Sequence, residues 1–64
     1  MTYDELHLFL HLSRSLHFGK TSRECHVSPS ALSRTIQRLE SEVGRPLFVR
    51  DRRSVELAPA GEAL

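Results

Sequence analysis

Six arginines fall between residues 34 and 53, at positions 34, 38, 45, 50, 52 and 53, and three serines, Ser28, Ser30 and Ser33, stand just before them. Arginine offers a planar fork of donors that matches phosphates and the guanine edge. Serine hydroxyls donate and accept at short range. Chemistry of this kind binds polyanions. It suits nucleic acid better than it suits a reacting substrate.

The element that must carry these groups is the stretch VSPSALSRTIQRLESEV, residues 27–43. Leu32, Ile36, Leu39 and Val43 recur at i, i+4, i+7 and i+11, the apolar stripe of a helix. Ser30, Arg34, Gln37 and Ser41 fall on the opposite face, with Ser33 and Arg38 on its flanks. A face that served only for solvation would more usually mix Lys with Glu at i, i+4. This one holds no acid.

Net charge is +1, but its distribution is uneven. Residues 1–33 balance Arg14, Lys20 and Arg23 against Asp4, Glu5 and Glu24. Residues 34–53 set six Arg against Glu40, Glu42 and Asp51, leaving +3. Residues 54–64 carry only Glu56 and Glu62, leaving −2. The cationic third of the chain begins within the serine–arginine helix, just after Ser33, and runs on past its end.

Sixty-four residues make one domain with a small core, and such a chain buries only about 60% of its unfolded surface. A single cysteine excludes an intramolecular disulfide framework. The segment MTYDELHLFL has neither the basic start nor the continuous apolar run of a signal peptide. No apolar run approaches the roughly 20 residues of a membrane span. The expected setting is the reducing cytoplasm.

In chain order, Thr2 and Glu5 form a capping box for a first helix, with Met1 and Leu6 at the staple positions. Tyr3, Leu6, Phe9, Leu10 and Ser13 share one face of it; Leu8 and Leu12 lie on another, which needs a cover of its own. Gly19 is an acceptable N-cap for a short second helix, Lys20 to Cys25, anchored by Phe18 and Cys25. His26-Val27-Ser28 is a three-residue turn in which His26 is expected to be left-handed. Ser28 then caps the third helix, Pro29 fits its N1 position, and Gly44 with Pro46 ends it. Two short helices joined by a tight turn form the helix-turn-helix pattern.

The period changes after that. Leu47-Phe48-Val49 and Val55-Glu56-Leu57 are β-prone and flank the turn Asp51-Arg52-Arg53-Ser54, a small hairpin with cations at its tip. Residues 58–62 read as the opening turn of another helix, with Pro59 at N1. The expected fold is mainly α: a winged helix-turn-helix of three helices, a two-stranded β wing and the start of a linker helix. Residues 1–58 form the domain and residues 59–64 the beginning of the linker.

Catalytic and metal chemistry have little support. No strand–turn–helix elbow frames a serine and no glycine-rich phosphate loop is present. His7 and His11 stand one helical turn apart and Cys25-His26 adds two potential ligands, but Cys25 is read more simply as a small buried apolar residue. The chain is expected to be no enzyme and to carry neither cofactor nor metal.

Taken in order, His26-Val27-Ser28, Ser33-Arg34, Ile36, Leu39-Glu40, Gly44, Pro46-Leu47-Phe48, Arg50, Arg53, Val55, Leu57 and Ala60-Gly61 resemble the N-terminal DNA-binding domain of LysR-type transcriptional regulators. The blocks HFG at 17–19, HVSPS at 26–30, IQRLE at 36–40 and PLFVRD at 46–51 resemble one member of that family more than the rest. The resemblance implies the head of a longer protein, with a dimerising linker helix and an effector domain beyond it, so the chain is expected to be an excised or truncated head. It implies a homodimer on a pseudo-palindromic double-stranded operator, and a small-molecule effector bound only by the missing domain. With the linker helix ending at Leu64, the fragment is expected to be mainly monomeric and to bind weakly.

Three positions depart from the family pattern. Many members carry Gln at the position of Pro29 and use it in the groove, and Gln is frequent at that of Thr35. Ala58 stands where the linker helix usually has a Thr N-cap, a change that costs about 1 kcal/mol. The expected DNA contacts are therefore Ser28, Pro29, Ser30, Ser33, Arg34, Gln37 and Arg38 on the third helix, and Arg50, Arg52 and Arg53 on the wing. Arg34 is the expected base reader, bidentate to a guanine. Arg53 is expected in the minor groove and Arg50 on a phosphate. The blander reading makes Ser28 a cap only and the arginines a solvated, charged surface. A winged helix used only for protein–protein contact is the other class to weigh, and the acid-free helix face with the Arg-rich wing argues against it.

Overall fold

The computed structural model describes residues 2–51 and 54–63. Its elements in order are α1 (Tyr3–Ser15), α2 (Phe18–Glu24), α3 (Pro29–Val43), β1 (Phe48–Arg50), β2 (Val55–Leu57) and α4 (Pro59–Ala63). This is the expected architecture: three helices, an antiparallel two-stranded wing and the first turn of a fourth helix. None of the described helices is long and apolar enough to cross a membrane.

Local chemistry sets most of the boundaries. The Thr2 hydroxyl accepts the Glu5 N–H at 3.2 Å, and a Glu5 carboxylate oxygen accepts the Thr2 N–H at 2.8 Å. That reciprocal pair starts α1. Ser28 caps α3 by accepting the Ala31 N–H at 3.1 Å, and Pro29 follows in the first turn. Gly44 ends α3 at φ 80°, a left-handed conformation that costs glycine little, and its N–H reaches the Glu40 carbonyl at 2.8 Å. His26, at φ 58°, supplies the left-handed residue of the turn between α2 and α3.

The second helix departs from expectation. It begins at Phe18 rather than Lys20, and the cap is His17, whose Nδ1 accepts the Lys20 N–H at 3.0 Å. The imidazole reproduces the Asx-type acceptor that Gly19 lacks, so Gly19 lies inside the helix. Leu16 turns left-handed, φ 53°, to end α1 and redirect the chain. Cys25 is only half-buried, as the C-cap of α2.

The core is one cluster: Phe9 and Leu12 from α1, Leu32, Ile36 and Leu39 from α3, and Leu47 and Phe48 at the root of the wing. The Phe9 and Phe48 rings meet at 5.6 Å with a 58° tilt, an edge-to-face type of contact. Burying each such side chain contributes about 1.5–3 kcal/mol before chain entropy is charged against it. Two sequence readings are corrected here. Leu12 is fully buried in this core and Leu8 packs partly against it, so Leu12 needs no outside cover, whereas Tyr3 and Leu10 are exposed. Val43, the last member of the α3 stripe, is also exposed, because α3 outruns the core at its C-terminal end.

Polar ties complete the frame. Thr21 is fully buried between α1 and α2, its hydroxyl 2.7 Å from the Ser15 hydroxyl and 3.2 Å from His11 Nδ1. His11 Nε2 lies 3.2 Å from Glu24. One carboxylate oxygen of Glu40, on α3, accepts the N–H groups of Leu47 at 2.9 Å and Phe48 at 3.4 Å, which fastens the wing to the third helix.

In the wing, Phe48 pairs with Leu57, Val49 with Glu56 and Arg50 with Val55. Asp51 and Ser54 close its tip: Asp51 N–H donates to the Ser54 carbonyl at 3.0 Å, and Ser54 N–H to an Asp51 carboxylate oxygen at 2.9 Å. The fourth helix starts tight against this hairpin. The Ala58 N–H donates to the Leu47 carbonyl at 2.8 Å, and a Cβ on Gly61 would stand 2.3 Å from that same oxygen. Only glycine fits there.

Candidate nucleic-acid interface

With its inner stripe buried, α3 turns Pro29, Ser30, Arg34, Gln37 and Ser41 outward, and all five are exposed. None is acidic. Ser28 is exposed as well, although its hydroxyl is engaged in capping. Residues 28–31 bring the N-terminal end of the helix dipole and its first N–H groups to the same surface, where an anion is favoured. Thr35 turns its hydroxyl back to the Ala31 carbonyl at 3.0 Å, so it adds no outward arm.

Arg50 joins this surface from the wing. Its guanidinium carbon lies 4.5 Å from the centroid of the Phe18 ring. One terminal nitrogen is 3.5 Å from the Ser33 hydroxyl, to which it donates at the long end of hydrogen-bonding range. Ser33 is half-buried and next to Arg34. The wing cation and the outer face of α3 are thus contiguous, brought together by residues from α2, α3 and β1.

Arg38 is placed differently. Its guanidinium pairs with Glu5 at 3.4 Å, linking α3 to the start of α1, although the side chain is still 71% exposed. The Glu5 carboxyl is held below its ordinary range, chiefly by the Thr2 backbone N–H; the Thr2 hydroxyl and the Arg38 charge act in the same direction, and burial opposes them. Arg52 and Arg53, the expected wing-tip contacts, lie outside the described residues. Among the described residues no three His, Cys, Asp or Glu come together as a metal site.

Three functional neighbours escaped the sequence reading. Phe18 was expected only as a core anchor, yet its ring also supports Arg50. Glu40 was singled out only as a mark of the family resemblance, yet it holds the root of the wing. Glu5 was expected to cap α1, and it also carries the ion pair to Arg38. Phe18 and Glu5 pair with residues more than thirty positions away, and Glu40 reaches across the turn that ends α3, so no helical or strand spacing marks these partners.

A helix-turn-helix with an antiparallel wing at its side, an acid-free outer face on its third helix and a cation at their junction defines the winged DNA-reader class of fold. The signature of the bacterial regulatory helix-turn-helix proteins of the lysR family matches residues 3–62, and the chain belongs to that family. It is 59% identical over 64 residues to the HTH-type transcriptional activator IlvY of Salmonella typhimurium, covering 100% of this chain and 22% of that protein. Among solved structures it is similar to full-length CbnR complexed with its target DNA, at TM-score 0.91 and 30% identity over 98% of this chain and 22% of that one. It is also similar to the BenM DBD in complex with catB site 1 DNA, at TM-score 0.91 and 32% identity over 98% of this chain and 70% of that one. The chain spans about a fifth of the length of the curated relatives it matches.

Proposed function

We propose that this chain is the DNA-binding head of a LysR-type transcriptional regulator. Its α3 enters the major groove and its wing lies over the adjacent minor groove or backbone. The observation that carries this reading is the continuous donor surface formed by the exposed, acid-free face of α3 and Arg50 beside Ser33. The DNA complexes of CbnR and BenM support it by similarity.

The division of roles follows from chemistry. Ser28, Ser30 and the first N–H groups of α3 suit a phosphate, as does Arg50. Ser33, Arg34 and Gln37 lie further along the helix, where side chains reach base edges, and Arg34 has the fork for guanine O6 and N7. Pro29 contributes shape and no donor. Arg38 is the least committed of the set, because Glu5 competes for it. Arg52 and Arg53 are assigned to DNA from the sequence alone, with Arg53 in a narrow A·T-rich minor groove. The role is binding and not catalysis.

Residues 1–58 form the reading head and residues 59–64 open the linker helix. In the whole protein that helix pairs two heads, so two copies of α3 meet successive major grooves about 34 Å apart on a pseudo-palindromic operator. The effector acts through a separate domain, in the cytoplasm. The test is to measure Arg34→Ala binding to a selected duplex and to random duplex. A loss of about 1–3 kcal/mol confined to the selected site is expected. An equal loss on both sequences removes Arg34 from base readout.

A further inference from the structure

The Phe18 ring is the first residue of α2 and sits half-buried against the core. Arg50 lies at the end of β1 and covers that ring at 4.5 Å. The Ser33 hydroxyl then receives one N–H of the same guanidinium at 3.5 Å. An arginine on an exposed strand would otherwise sample many rotamers and lose that freedom on meeting its ligand. Here an aromatic face and a hydroxyl, from two different helices, hold it before any ligand arrives.

The contact has a second consequence. A cation over a ring is attracted by the ring quadrupole, an interaction that does not require its N–H groups as conventional hydrogen-bond donors. The ring also carries no acceptor that a phosphate would have to displace. An acid in its place would neutralise the cation instead of aiming it.

We propose that Phe18 is the positioning residue for Arg50, presenting the guanidinium beside Ser33 so that wing and third helix grip one duplex phosphate as a preformed unit. The inference rests on the duplex-binding reading above. Phe18 need not touch DNA. Its effect passes through Arg50.

The test combines Phe18→Leu, Phe18→Tyr, Arg50→Ala and the Phe18→Leu/Arg50→Ala double variant. Each is measured for binding to a fluorescent duplex across a salt series, with urea unfolding recorded alongside. Phe18→Leu keeps apolar bulk for the core but removes the quadrupole, and should weaken binding roughly fivefold. Phe18→Tyr should restore it. Arg50→Ala should lower the slope of log K against log salt by about 0.9, and adding Phe18→Leu to it should change nothing further. In the free protein the Arg50 Cδ protons should show an upfield ring-current shift that Phe18→Leu abolishes.

Equal weakening by Phe18→Leu with and without Arg50 overturns the inference, because the ring would then act only through stability. So does an absent ring-current shift, which is read without DNA. If the unaltered chain binds no duplex at low salt, the functional reading itself fails, and the inference falls with it.

Discussion

Replacing Glu40 by alanine removes a carboxylate acceptor that fastens the root of the wing to α3. Its carboxylate receives the Leu47 N–H at 2.9 Å and the Phe48 N–H at 3.4 Å, and both residues are buried, 0% and 4% exposed. A hydrogen bond to a charged group contributes about 1.5–3 kcal/mol, and an orphaned buried N–H costs a comparable amount. The longer bond adds little, being beyond the usual N–H···O range. Glu40→Ala should therefore cost about 2–3 kcal/mol, against a total of roughly 3–10 kcal/mol for a domain of this size. The melting temperature should fall by about 10–20 °C. Glu40→Gln keeps a neutral acceptor and should cost about 1 kcal/mol. Urea unfolding gives the energies, and the Leu47 amide, followed by hydrogen exchange, locates the change. A Glu40→Ala domain within 0.5 kcal/mol of its parent, or a Leu47 amide that stays protected, would refute the reasoning that the carboxylate ties the wing down.

Two other perturbations follow from the same geometry. Gly61→Ala puts a Cβ 2.3 Å from the Leu47 carbonyl oxygen, a backbone atom that cannot step aside. A loss of about 1–3 kcal/mol in urea unfolding is expected. Gly19→Ala is the control: its Cβ meets only the His17 ring at 3.3 Å, so it should be nearly neutral. Glu5 gives a pH dependence. Its folded carboxyl lies below the ordinary range, so its contribution is complete above the unfolded pKa and disappears as pH falls through the folded value. The gap in urea midpoint between the parent and Glu5→Gln should be widest near neutral pH and close in acid. A gap that is constant with pH removes the assignment.

The parts of the fold legible in the sequence are those set within one turn of chain. The Thr2–Glu5 box, Ser28 with Pro29, and Gly44 act through neighbours three or four residues away, and the spacing shows them. His17 as a cap was missed because histidine is an uncommon acceptor there and Gly19 offered a plausible alternative. The packing of α1 was misread for a different reason. Two apolar stripes of similar strength lie on that helix, and it is tertiary packing that puts Leu12 in and leaves Tyr3 out. The candidate site divides in the same way. The outer face of α3 is periodic and was visible. Its union with the wing was not, because Arg50, Phe18 and Ser33 are joined by tertiary structure.

The central claim is that the outer face of α3, with Arg50 beside it, is the surface that meets duplex DNA. The direct test is to titrate the ¹⁵N-labelled chain with a duplex at low and moderate salt and to follow every backbone amide. The account predicts perturbations concentrated at Ser30, Ser33, Arg34, Gln37 and Arg50, shrinking steeply as salt rises. Perturbations centred instead on the exposed Tyr3 and Leu10 side of α1, or none at low salt, would contradict it.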